Sequence, residues 1–173
     1  MNTGRLQIYT GNGKGKTTAC FGLAMRAAGH NKKVLIIQFL KGSQHYGELT
    51  SAKKLGITVI QFGRPSFVNP KQPEQADIDI ALQGLDELRE AIISGDWNLV
   101  IADEINVAIK FGLLPLNRVI QVLAVRNPKT ELVLSGRYAP PELIESADLV
   151  TEMTPIKHYF DTEGLDGREG IEF

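Results

Sequence analysis

The sequence predicts an α/β domain with a mostly parallel sheet flanked by helices, spanning residues 1–173 as one unit. Three observations carry that expectation. Short apolar runs alternate with segments of helical period. The runs are continuously apolar at their centres, as in Val34-Leu35-Ile36-Ile37 and Leu99-Val100-Ile101-Ala102. Parallel strands covered on both faces read that way. A glycine-rich segment, Thr10 to Thr18, then separates the first apolar run from the first helical stretch.

In chain order, Leu6 to Thr10 is the first expected strand. The helix after it carries Cys20, Leu23, Ala24, Ala27 and Ala28 on one face, with Gly29 as its C-cap. Lys33 to Phe39 and Ile57 to Phe62 are the next strands. Gly63 to Pro73 contains three prolines and no period. It is expected to be a loop, and loops of that length in compact domains are commonly functional. Ile78, Ala81, Leu82, Leu85, Leu88 and Ile92 form a second helical stripe ending at Gly95. Asn98 to Asp103 is the fourth strand. Leu116, Val119, Ile120, Leu123 and Ala124 form a third stripe, with Pro115 in its first turn. Glu131 to Ser135 and Asp148 to Thr151 complete the strands. The tail, residues 153–173, reads as irregular structure packed on the surface.

Composition narrows the function classes. A chain of 173 residues buries a full core without a disulfide or metal staple. With 43% hydrophobic residues and a net charge of -1 it is not a disordered chain. Nineteen basic against twenty acidic side chains give no global attraction to nucleic acid or anionic lipid. The aliphatic runs are too short to span a bilayer. Met1 to Gln7 has no apolar core of a secretion signal. Cys20 is the only cysteine, so no internal disulfide forms. A cytoplasmic, reducing location is expected.

The chemical signal is the segment Thr10-Gly11-Asn12-Gly13-Lys14-Gly15-Lys16-Thr17-Thr18. Glycines allow successive backbone N–H groups to face one concavity. The helix N-terminus adds partial positive charge. Lys16 supplies a point charge for phosphates, and the Thr17 hydroxyl suits Mg²⁺. The usual loop has its first glycine where this chain has Thr10, so Gly11 is displaced by one. That predicts a different shape at the loop's start. The second signal is Asn98-Leu99-Val100-Ile101-Ala102-Asp103-Glu104, an apolar strand ending in acids, the Walker B arrangement. Together they point to a P-loop (RecA-like) NTPase fold.

The fold leaves the reaction open. Asn31-Lys32-Lys33-Val34 lacks the aspartate that a guanine-binding motif needs. No arginine cluster forms a kinase lid. His30, His45 and His158 are scattered, with no acid–base pair and no nucleophile triad.

Taken together, the motifs resemble the phosphate-loop type of ATP:corrinoid adenosyltransferase, acting on cob(I)alamin or cob(I)yrinic acid a,c-diamide. Besides the loop, the resemblance is carried by Gln38-Phe39-Leu40-Lys41-Gly42, Tyr46-Gly47-Glu48 and Ala102-Asp103-Glu104-Ile105-Asn106. Ser135-Gly136-Arg137 and Ile156-Lys157-His158 with Asp161 complete it. It covers nearly the whole chain.

The resemblance implies transfer of the 5′-deoxyadenosyl group of ATP to Co(I) of a corrinoid. Triphosphate is released and adenosylcobalamin or its precursor is made. It implies that Gly11, Asn12, Gly13, Lys14, Gly15, Lys16, Thr17 and Thr18 bind the nucleotide, with Lys16 and Glu104 as the catalytic pair. Thr17 and Glu104 would bind Mg²⁺ (or Mn²⁺), with Asp103 as the other candidate. Phe67 and Val68, as apolar tips of the 63–73 loop, and Arg137 are the corrinoid candidates. Arg137 has phosphate and a surface acid as alternative partners. Some members pair a phenylalanine with a nearby tryptophan in this loop; here the only tryptophan is Trp97, just before the Walker B strand. Lys41, Glu48 and His158 match without an assigned role. A reduced flavin or flavoprotein as electron donor and a homodimer are further implications, with no nucleic-acid or membrane partner. Some members cover an active site with an N-terminal extension; with the first strand so near Met1, that cover is expected from elsewhere. A conventional ATPase or phosphotransferase, and a non-catalytic carrier of corrinoid or nucleotide, are the rival readings.

Overall fold

The computed structural model describes residues 3–43, 45–165 and 167–172. The strands are β1 (Leu6–Thr10), β2 (Val34–Phe39), β3 (Thr58–Phe62), β4 (Leu99–Asp103), β5 (Glu131–Ser135) and β6 (Leu149–Glu152). They form one sheet in the order β3-β2-β4-β5-β1-β6, and every pairing is parallel. The helices are α1 (Lys16–Gly29), α2 (Gly47–Lys54), α3 (Gln75–Ser94), α4 (Ile105–Lys110), α5 (Leu116–Ala124), α6 (Pro141–Ser146) and α7 (Tyr159–Glu163).

The two faces of the sheet are separate cores because side chains alternate along each strand. Val34, Ile36, Leu99, Ile101 and Val133 pack on Cys20 and Ala24 of α1 and Ala52 of α2. Leu35, Ile37, Phe39, Val100, Ala102, Leu132 and Leu134 pack on the opposite helices. There they meet Leu85, Leu88 and Ile92 of α3, Ile105 of α4 and Val119 of α5. This explains the unbroken apolar runs in β2 and β4, which are buried at every position.

Several expectations are corrected. Pro115 is the N-cap of α5 rather than part of its first turn; its extended ψ of 126° stops the helix short of it. In the same helix Val119 and Val122 are buried, whereas Ile120 and Ala124 face outward. α5 thus presents a narrower stripe to the core than its five apolar residues suggest. Gly29 ends α1 as its last helical residue, and His30 caps it. β6 is an edge strand exposed at all four residues, unlike the central strands. The tail is not wholly irregular, since it contains α7. Gly95 does cap α3, at φ 73°, the left-handed conformation that glycine adopts without strain.

Candidate functional site

A parallel sheet presents its ligands at the C-terminal ends of its strands. Here four neighbouring strands deliver Gln38 (β2), Asp103 (β4), Ser135 (β5) and Thr10 (β1) to one edge. The register sets Gln38 beside Asp103 and Tyr9 beside Ser135.

The phosphate loop leaves β1 at Thr10. The Thr10 carbonyl accepts from the Met153 amide at 2.9 Å, and its hydroxyl accepts from the Ala139 amide at 3.3 Å. Thr10 is therefore strand, paired with Glu152 of β6. The chain turns one residue later, at Gly11 with φ 94°. A Cβ on Gly11 would sit 2.4 Å from the Met153 carbonyl oxygen, and one on Gly13 2.7 Å from it. The displaced first glycine thus has a local cause. β6 runs alongside the loop's start, and only a residue without a side chain passes it.

Lys16 opens α1 and is nearly buried. Its ammonium donates to the carbonyls of Gly11 at 2.8 Å and Gly13 at 2.7 Å, crossing the loop that it belongs to. Burial lowers its pKa, the Glu104 carboxylate raises it, and Arg137 adds to the lowering.

Asp103 is fully buried and gathers four side chains. Ser135 Oγ donates to Oδ1 at 2.6 Å. Thr17 Oγ1 lies 3.1 and 3.2 Å from the two oxygens. Gln38 Nε2 and Lys41 Nζ donate to Oδ2 at 3.2 and 3.1 Å. Lys41 also reaches Thr17 Oγ1 at 3.4 Å and lies 3.9 Å from Glu48. Its pKa is lowered by burial but raised more by the neighbouring carboxylates, above all Asp103, so it stays charged.

Glu104 does not continue the strand. It adopts φ 63° and serves as the N-cap of α4, its amide donating to Ser135 Oγ at 3.2 Å. That turn brings its carboxylate to the loop instead of the opposite sheet face, which strand alternation alone would suggest. Burial and the Asp103 charge push its pKa up, against the pull of Lys41, Lys16 and Arg137. Beside it Asn106 donates to the Gly136 carbonyl at 3.1 Å and so fixes the turn that leads to Arg137.

One cavity of about 350 Å³ is lined by residues 12–18 of the loop together with Glu104, Arg137, His158, Tyr159, Ile171 and Glu172. It shares Thr17, Thr18, Ile171 and Glu172 with a cleft of about 650 Å³ between α1 and α2, whose walls include Phe21, Met25, Lys41 and Tyr46. A preformed, positively charged cradle joined to a larger, partly apolar cleft suits a substrate with a polyanionic end and a bulky remainder. Thr17 Oγ1, Asp103 and Glu104 are all hard oxygen donors, the set that Mg²⁺ or Mn²⁺ prefers. Thr17 with one of the two carboxylates would leave the remaining positions to phosphate and water, the usual arrangement for Mg²⁺.

The 63–73 loop is tied down at its start. Arg64 donates to Asp77 at 2.7 and 3.1 Å and to Glu74 at 3.0 Å, at the N-terminus of α3. The Arg64 guanidinium holds the Asp77 carboxyl below its usual range. The two expected apolar tips part company. Phe67 is fully exposed, while Val68 turns inward and packs against the core. Trp97 likewise packs on the core and is no partner for Phe67.

The structure brings together the loop, both acids and Arg137, the residues that the sequence singles out. The sequence assigns nothing to Gln38, Lys41 and Ser135, although the motifs containing them are in view; their common partner Asp103 is visible only once the strands are side by side. It misses Tyr159 and Glu172, for which the glycine-rich tail offers no signal.

A family model described as ATP:corrinoid adenosyltransferase BtuR/CobO/CobP matches residues 2–173. The chain is 37% identical to a corrinoid adenosyltransferase of Pseudomonas aeruginosa, over 98% of this chain and 84% of that protein. It is 34% identical to one of Escherichia coli K12, over 98% and 86%. Among solved structures, the RadB recombinase aligns with a TM-score of 0.55 at 15% identity, over 90% of this chain and 77% of that one. That likeness concerns the P-loop fold alone.

Proposed function

The chain belongs to the ATP:corrinoid adenosyltransferase family BtuR/CobO/CobP, and on that premise we propose how its residues divide the chemistry. The enzyme transfers the 5′-deoxyadenosyl group of ATP to a corrinoid and releases triphosphate. The C5′–O bond breaks with its electron pair leaving on the triphosphate, and Co(I) donates the pair for the new cobalt–carbon bond. Cobalt is the nucleophile, so the protein has no need of its own. What remains for the chain is to orient C5′ and to stabilise charge on the leaving group.

In this reading Gly11 to Thr18 cradle the triphosphate, and Lys16 donates to it as charge develops. Thr17 and Glu104 hold Mg²⁺ or Mn²⁺, with Asp103 as the alternative carboxylate. The ion would neutralise part of the triphosphate charge. The observation that carries the reading is the single cavity in which the loop, Glu104 and Arg137 face one another. Phe67 is the corrinoid-facing side chain of the 63–73 loop, and Val68 anchors that loop to the core. Arg137 binds phosphate or a corrinoid amide chain. A reduced flavin or flavoprotein supplies the electron that brings cobalt to the +1 state. The enzyme acts as a homodimer in the cytoplasm. No helix among the described residues is long and apolar enough to cross a membrane.

The test is an anaerobic assay with ATP, Mg²⁺ and chemically generated cob(I)alamin. Loss of the Co(I) band with intact triphosphate as product supports the reading. ADP and phosphate without a spectral change would replace it by a conventional ATPase; saturable corrinoid binding without turnover would replace it by a carrier.

Phe67→Ala is expected to slow the reaction at least about tenfold, about 1.4 kcal/mol, when it starts from Co(II) and a reductant. The rate from preformed Co(I) should change far less. Because Phe67 touches no core, the melting temperature should not move. Equal losses from both starting states would remove Phe67 from the reduction step.

A further inference from the structure

The cavity over the phosphate loop has an outer wall made from the far end of the chain. Glu172 reaches back to the loop, and its side chain is only 19% exposed. Its Oε1 accepts from Lys14 Nζ at 2.5 Å, from Arg168 Nη2 at 3.2 Å and from the Tyr159 hydroxyl. Its Oε2 accepts from the Arg168 amide at 2.7 Å and from Arg168 Nε at 3.3 Å. Lys14 Nζ also reaches the Tyr159 hydroxyl at 2.8 Å, and the Arg168 guanidinium lies over the Tyr159 ring, 5.0 Å from its centre. These bonds hold the Glu172 carboxyl far below its usual range, with Arg168 the largest contributor, so it is an anion at every working pH. An ammonium, a guanidinium and a phenol converging on one oxygen are the donors that also recognise a phosphate oxygen. Lys14 sits between Gly13 and Gly15, in the cradle itself.

We propose that Lys14, Tyr159 and Arg168 form an anion subsite at the mouth of the phosphate loop, which takes an outer oxygen of ATP's triphosphate and which Glu172 holds in competition with it. The inference rests on the reading of the loop as the triphosphate site. Binding of the polyphosphate displaces Glu172 from Lys14. Return of Glu172 restores the bonds and adds like-charge repulsion to the departing triphosphate. The tail thereby lowers affinity for a product that carries the full charge of the leaving group.

The test is equilibrium binding of inorganic triphosphate with Mg²⁺ to the full chain, measured by calorimetry. Glu172→Gln is expected to bind about three- to tenfold more tightly than the wild type, the worth of a charge-assisted contact removed from the competitor. The gain should shrink as salt rises. Unchanged or weaker binding overturns the proposal, since Glu172 would then merely hold Lys14 in place. A second measurement needs no variant. The Arg168 amide donates to Glu172 Oε2 at 2.7 Å, so saturating triphosphate should speed deuterium exchange at that amide, followed by NMR, and unchanged or slower exchange overturns the displacement. Wild-type protein whose triphosphate affinity is absent, or is not reduced by Lys16→Ala, would instead overturn the loop reading and the subsite with it.

Discussion

Lys16→Ala is expected to lower kcat/KM for adenosyl transfer by at least about 10²–10³-fold, the worth of one preorganised charge donor on a developing anion. The physical reason is local. Lys16 bonds both the Gly11 and Gly13 carbonyls, so its ammonium lies inside the cradle. Its removal leaves the loop amides facing a polyanion without their cation. The loss should appear with preformed Co(I), which separates it from any defect in reduction. The fold should survive, because α1 keeps its buried face of Cys20 and Ala24. Full turnover by Lys16→Ala would sink the assignment of this loop to the triphosphate.

Asp103→Ala is expected to cost about 3–5 kcal/mol of stability, the range for removing one partner of a buried charge pair. In a chain of this size that corresponds to a melting temperature about 10 °C lower. Ser135, Thr17, Gln38 and Lys41 all donate to this one carboxylate. Deleting it leaves four donors without their acceptor, one of them an ammonium whose side chain is only 18% exposed. Asp103→Asn should lose less, since its amide oxygen still accepts from Ser135 while the charge opposite Lys41 is gone. Thermal denaturation by circular dichroism measures both. If the alanine variant melts within about 2 °C of the wild type, the network is not a structural hub.

The contrast between the two positions shows what kind of information each carries. Lys16 was legible because its chemistry is local: strand, glycines, lysine and helix follow one another within a dozen residues. The same holds for the strands themselves, whose boundaries fall within a residue or so of the apolar runs. The α5 stripe was overread for the opposite reason. A helical period says which residues share a face, but the neighbours decide how much of that face is covered, and Ile120 is left outside. Val68 and Phe67 make the same point in a loop, where adjacent apolar residues point one inward and one outward.

By itself, then, the sequence determined the α/β class, the phosphate loop, the acidic strand end and, through its motifs, the family. These depend on contacts between residues close in the chain, where spacing and geometry are equivalent. Only the tertiary structure decided which carboxylate meets which donor. Insertion of β5 between β1 and β4 is what brings Ser135 to Asp103, and the left-handed turn at Glu104 is what aims the second acid at the loop. The return of Glu172 to Lys14 spans 158 positions. No local propensity specifies such a contact, because its free energy comes from charges that meet only after the sheet has assembled.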